Sequence, residues 1–93
     1  MKVFVKFYAH LRDLVGQQEK LEIELDSSAT ITQLLDKLVQ DKNVRMHIFD
    51  DKNQVKPDIT LLVNGREIKF LDGVNTILKH GDEVSIFPMV AGG

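Results

Sequence analysis

Hydrophobic and polar positions change period several times along this chain, and each change marks an element. From Lys2 to Tyr8, Val3, Val5 and Phe7 fall on one face and Lys2, Phe4, Lys6 and Tyr8 on the other. β-branched and aromatic residues dominate, which predicts a strand. AHLRDLVG, residues 9–16, puts Leu11, Leu14 and Val15 at helical spacing and ends on glycine, so one helical turn is expected. Leu21, Ile23 and Leu25 then alternate with Lys20, Glu22, Glu24 and Asp26, the pattern of a half-buried strand. The short link predicts that the two strands form a hairpin-type pair.

A helical period takes over in SSATITQLLDKLVQDK. Ile31, Leu34, Leu35 and Leu38 share one helix face. Thr30 is the expected N-cap, and Gln33, three residues on, completes a capping box. The helix should run from about Thr30 to Asp41. In the segment 41–58, Val44, Met46, Ile48 and Phe49 are expected to anchor on the core, followed by an exposed turn at DDKNQ; Pro57 bars a regular helix there.

Ile59 to Val63 is a nearly unbroken apolar run and reads as a central strand. Asn64-Gly65 predicts a type I′ hairpin turn, which needs positive φ at both central positions. Arg66 to Phe70 should return as a short strand. Leu71 to Lys79 is irregular, His80-Gly81-Asp82 turns the chain, and Glu83 to Phe87 forms a last strand. This order gives an α+β fold: a mixed sheet of four to five strands with one main helix packed on one face. With the first and last strands parallel in the sheet centre, that is a β-grasp. Residues 1–88 form the domain and 89–93 a flexible C-terminal tail.

Composition narrows the function by exclusion. The 93 residues suffice for one compact domain. The net charge is −2 with Lys and Arg scattered, so nucleic acid is not an expected partner. No apolar stretch approaches the roughly 20 residues that span a membrane. The start, MKVFVKFYAH, has no long apolar region followed by a small-residue cleavage site, so the expected location is cytoplasmic. The chain has no cysteine, which excludes a disulfide scaffold, a thiolate zinc site, an iron–sulfur cluster and a cysteine nucleophile.

Side chains offer little chemistry. His10, His47 and His80 share no ligand spacing, so no metal is expected. Asp50, Asp51 and Asn53 lack the spacing of a calcium loop and read as a solvated turn. Ser27 and Ser28 precede the helix as capping candidates, and Ser85 lies in a strand, with no nucleophile elbow around it. There is no glycine-rich phosphate loop. On side chains alone the chain is not an enzyme, and it is expected to bind no cofactor.

The ending FPMVAGG is different. Two terminal glycines arise by chance in about one chain in 200 at average usage. Here they follow an apolar run whose residues shrink toward the end. The Gly93 carboxylate is a candidate reactive group. A carboxylate is a poor electrophile until activated, typically as an acyl-adenylate. The activating site must enclose carboxylate and ATP phosphate together and exclude water. Gly92 and Gly93, without Cβ, thread a narrow channel and take any φ. Ala91 is the next smallest residue, Val90, Met89, Pro88 and Phe87 supply an apolar grip at the mouth, and Pro88 stiffens the exit from the strand.

The ending GDEVSIFPMVAGG, together with FYAHLRDLVG and LLVNGREI, resembles the MoaD family, the small subunit of molybdopterin synthase. The similarity covers most of the chain; the segment 41–58 is loosest and is similar to the longer loop of archaeal-type members. Met89 departs from the pattern, where the family often has a second proline, so a slightly looser tail is expected. The resemblance implies a ubiquitin-like sulfur carrier. A partner adenylyltransferase of the MoeB/ThiF type would consume ATP to adenylate Gly93, and a sulfur donor would convert it to a thiocarboxylate. The tail would then enter a MoaE-type large subunit and give its sulfur to the pterin precursor of the molybdenum or tungsten cofactor. Catalytic Lys and Arg side chains would lie on that subunit, in a two-plus-two assembly, and the zinc and ATP sites on the activating enzyme. Phe87 and Tyr8 match family positions whose aromatic rings meet partners. A carrier without a thiol cannot form an internal acyl disulfide, an expectation that one added cysteine near the tail would test. The free chain is expected to be a monomer. Three other readings stay open: ThiS-like sulfur carriage for thiamine, a ubiquitin-like modifier joined to lysines, and a plain β-grasp binding module.

Overall fold

The computed structural model describes residues 1–16, 20–52 and 54–88, apart from the side chains of Leu14 and Val15. Five strands form one sheet: β1 (Lys2–Phe7), β2 (Leu21–Glu24), β3 (Ile59–Val63), β4 (Arg66–Glu67) and β5 (Glu83–Pro88). Their order across the sheet is β2-β1-β5-β3-β4. β1 and β5 run parallel side by side, Val5 opposite Val84, as the sequence predicts. β1 pairs with β2, and β5 with β3, antiparallel. Two helices, α1 (Ile31–Leu38) and α2 (Lys42–Ile48), complete the β-grasp.

Register follows from alternation. Val3 faces Ile23 and Val5 faces Leu21 on the inner side, while Lys2–Glu24 and Phe4–Glu22 face outward. A one-residue slip would turn the whole apolar set to solvent. The inner residues Val3, Val5, Phe7, Leu61, Val63, Val84 and Ile86 meet Ile31, Leu34, Leu35 and Leu38 of α1 in one core. Each such side chain stabilises the fold by about 1.5–3 kcal/mol when fully buried.

The capping box forms as expected. Thr30 Oγ1 accepts from the Gln33 N–H at 3.4 Å, and Gln33 Oε1 accepts from the Thr30 N–H at 2.7 Å. The helix is shorter than expected, ending at Leu38. Asp41, expected as its last residue, instead starts α2: its Oδ1 accepts from the N–H groups of Asn43 at 2.8 Å and Val44 at 3.4 Å. α2 holds the apolar anchor with Val44 and Ile48, one turn apart and both buried. Met46 does not join them. It lies between these positions on the opposite face and is 67% exposed. Phe49 is half-buried against the core.

One other expectation changes. Residues 66–70 do not form one strand; pairing stops at Glu67, and a 3-10 turn over Ile68–Phe70 follows. The Leu71 N–H donates to the Ile68 carbonyl, which keeps Ile68 and Leu71 on the core and leaves Phe70 in solvent. Residues 9–15 form a 3-10 helix that buries Leu11 and closes on Gly16 at φ +67°.

The hairpin turn has positive φ at Asn64 (50°) and Gly65 (86°), as the dipeptide predicts. Asn64 also ties that turn to the start of β5. Its side chain donates to Asp82 Oδ1 at 2.9 Å and accepts from the Glu83 N–H at 3.0 Å. Asp82 Oδ2 accepts from the Lys79 N–H at 2.8 Å. His80 Nδ1 accepts from the Lys2 N–H at 3.1 Å, and the Gly81 N–H donates to the Lys2 carbonyl at 2.7 Å. The start of the central strand is thereby clamped from both sides.

Candidate functional site: the base of the C-terminal tail

β5 delivers the chain to the far edge of the sheet. Phe87 sits opposite Thr60 and Pro88 opposite Ile59. Proline has no N–H to give a ladder, so a strand commonly ends where one falls. Met89, Val90, Ala91, Gly92 and Gly93, the predicted threading and reactive residues, lie outside the described residues. Five residues span at most about 17 Å when fully extended.

Among the predicted site residues, the structure brings Tyr8 and Phe87 together. Their rings stack with centroids 4.2 Å apart and planes 14° from parallel. The cause is the parallel pairing of β1 and β5: Lys6 lies beside Ser85, and the Tyr8 N–H continues the ladder to the Ile86 carbonyl at 3.1 Å. Both rings are half-buried on the outer face of the sheet, away from α1. A stacked aromatic pair adds about 0.5–1.5 kcal/mol beyond its area and forms a flat platform where the strand leaves the fold.

Charge around that platform was not legible in the sequence. Lys6 Nζ lies 5.5 Å from the centre of the Tyr8 ring. Arg12 is exposed on the adjoining 3-10 helix, and Lys6, Phe7, Tyr8 and Arg12 line a depression of about 100 Å³. Elsewhere on the outer face, cations have carboxylates: Lys2 pairs with Glu22 at 3.5 Å and Lys20 with Glu83 at 3.0 Å. Lys20 also lies 5.5 Å over the Phe4 ring.

The remaining candidate side chains stay apart. His47 Nδ1 is 2.7 Å from the Asn43 carbonyl and His80 serves the Lys2 N–H, while His10 is exposed on the 3-10 helix. Asp50 Oδ1 accepts from the N–H groups of Lys52 and Gln54 at 2.8 and 3.0 Å, as a turn residue does. Among the described residues, no three His, Cys, Asp or Glu side chains gather as a metal site, and no helix is long and apolar enough to cross a membrane. The chemistry that the sequence points to rests on the tail.

Comparison with known proteins agrees with this geometry. The ThiS family profile matches residues 5–93. Small archaeal modifier protein 3 of Haloferax volcanii is 38% identical over 93 residues, which is all of both chains. The molybdopterin synthase sulfur carrier subunit of Mycobacterium tuberculosis is 30% identical over 93 residues, covering all of this chain and 99% of the relative. The crystal structure of SAMP1 from Haloferax volcanii superposes over the full length of both chains with a TM-score of 0.85 at 26% identity.

Proposed function

We infer the function from a family premise: the chain belongs to the ThiS/MoaD family of ubiquitin-like sulfur carriers. Gly93 is the group that this chain presents. The observation that carries the reading is the junction at Phe87–Pro88, where a clamped central strand ends beside an aromatic platform, directly before the small-residue ending VAGG in sequence. In this reading a MoeB/ThiF-like adenylyltransferase joins the Gly93 carboxylate to the α-phosphate of ATP, and pyrophosphate leaves. Sulfur at the hydrosulfide level, supplied by the donor, then attacks the acyl carbon, and AMP leaves with the electron pair. The product is a thiocarboxylate on Gly93. The carrier binds no cofactor of its own; the ATP is consumed on the partner.

The destination is the pterin precursor of molybdopterin, reached when Gly92, Ala91, Val90, Met89 and Pro88 thread into a MoaE-type large subunit. The full-length match to a molybdopterin synthase sulfur carrier subunit supports this destination. A second reading, conjugation of Gly93 to lysines of other proteins, is favoured by the 38% identity to small archaeal modifier protein 3. Both begin with the same acyl-adenylate. A chain that presents its tail needs only a transient interface, so the free protein is a monomer.

Thiol alkylation separates the outcomes. The protein is incubated with ATP, the host adenylyltransferase and a sulfur source, alkylated, and weighed intact. One alkyl group on Gly93 establishes the thiocarboxylate, because the chain has no cysteine to compete. Gly-Gly links to lysine without alkylation establish the modifier. No activation by a competent enzyme removes both.

A further inference from the structure

Among the asparagines of this chain, Asn64 alone is followed by glycine; Asn43, Asn53 and Asn75 precede Val44, Gln54 and Thr76. A side-chain amide next to glycine has an internal nucleophile, the following backbone nitrogen, with no adjoining side chain to shield it. Asn64 and Gly65 are both exposed, and a Cβ added to Gly65 would meet nothing within 4 Å. The site is open to water and to reaction.

The fold opposes that reaction. Asn64 reaches to the start of β5 with both polar atoms of its side chain: Nδ2 donates to Asp82 Oδ1 at 2.9 Å, and Oδ1 accepts from the Glu83 N–H at 3.0 Å. Its backbone N–H donates to the Glu83 carbonyl at 2.8 Å. Cyclisation needs the amide carbon at bonding distance from the Gly65 nitrogen, a turn of the side chain that both of its hydrogen bonds resist. Reaction therefore proceeds from a locally open state, at a rate set by how often the clasp releases.

We propose that Asn64 is a deamidation site held in check by its own clasp, and that its conversion to a carboxylate disables the clasp permanently. In the open turn the Gly65 nitrogen bonds to the Asn64 Cγ and loses its proton, the Cγ–Nδ2 bond breaks, and ammonia departs. Water then opens the five-membered imide at either carbonyl, leaving an aspartyl or an isoaspartyl residue. Nothing is oxidised or reduced; an amide and water become a carboxylic acid and ammonia. The product faces the wrong partner. Asp82 Oδ1 meets an ionised oxygen where it met a donor, and two carboxylates at hydrogen-bond distance repel. Asp82 cannot turn away without giving up the Lys79 N–H, which its Oδ2 accepts at 2.8 Å. The isoaspartyl form adds a backbone carbon to a two-residue turn whose positive φ at Asn64 and Gly65 suits the hairpin.

The test follows deamidation of the purified chain in mildly alkaline buffer by intact mass and peptide mapping, with enzymatic methylation of isoaspartyl carboxylates as a second readout. The chain unfolded in urea should convert at residue 64. Native protein should convert at least about tenfold more slowly, and Asp82→Ala should raise the native rate several-fold. Thr30→Ala, which weakens a distant helix cap, should raise it less. No conversion in urea, equal rates for native and unfolded chains, or an equal rise for Thr30→Ala and Asp82→Ala overturns the proposal. Melting temperatures then test the product. Asn64→Asp should melt roughly 10 °C below wild type. Asn64→Asp/Asp82→Asn should recover most of that loss, because an amide at position 82 donates to the carboxylate at 64 and still accepts from the Lys79 N–H. A single variant as stable as wild type, or a double variant no better than the single, shows that the product does not disable the clasp and overturns the proposal.

Discussion

The two ends of β5 are built on opposite principles. At its start, Asn64, His80 and Asp82 close a network in which backbone donors of Lys2, Lys79 and Glu83 each find a side-chain acceptor. At its finish, Tyr8 and Phe87 expose a flat aromatic surface, and Lys6 and Arg12 lack carboxylate partners among the described residues. The first end is satisfied internally, while the second leaves a half-buried aromatic pair beside two cations. One strand thus joins an anchor to a socket, and substitutions at its two ends should separate stability from transfer.

Removing Gly92 and Gly93 makes the largest functional change. Alkylation at the tail should be abolished while the melting temperature stays that of the intact protein; a lowered melting temperature would mean that the tail also supports the fold. Ile86→Ala, in the middle of the strand and fully buried, should cost about 3 kcal/mol in a denaturant titration. Asn64→Ala removes the clasp and puts alanine at a positive φ, so about 2 kcal/mol is expected, or roughly 10 °C in melting temperature. Its transfer rate, measured where it remains folded, should match wild type. Tyr8→Ala should show the reverse: a stability loss of about 1 kcal/mol or less, with a several-fold rise in the carrier KM for activation. If Asn64→Ala impairs activation more than Tyr8→Ala does, the division between anchor and socket is wrong. Thr30→Ala, remote from both ends, should cost about 1 kcal/mol and leave activation unchanged.

Much of this was legible in the order of residues. Strand alternation in β1 and β2, the capping box at Thr30 and the Asn64-Gly65 turn are local signals, and the structure follows them. α2 escaped because seven residues with two apolar positions show too little periodicity to register, and because Asp41 reads equally as an end or as a beginning. The matched aromatic positions 8 and 87 were visible singly. Their stacking was not, since it depends on the parallel register of strands far apart in sequence. The contrast between paired and unpaired lysines is likewise a property of neighbours across the sheet. Residues 89–93 carry the candidate chemistry through composition alone.

The position of β5 has a consequence for biosynthesis. This strand sits between β1 and β3, so until it is made the sheet consists of two halves with no common neighbour. A nascent chain that stops before Glu83 can close its β1–β2 hairpin and wind α1, but it leaves Val5 and Leu61 without the strand that covers their edges. Non-local closure of this kind is the slow part of folding. Because the strand that completes the sheet is also the last of the five in chain order, the sheet can close only after Glu83–Pro88 has been synthesised.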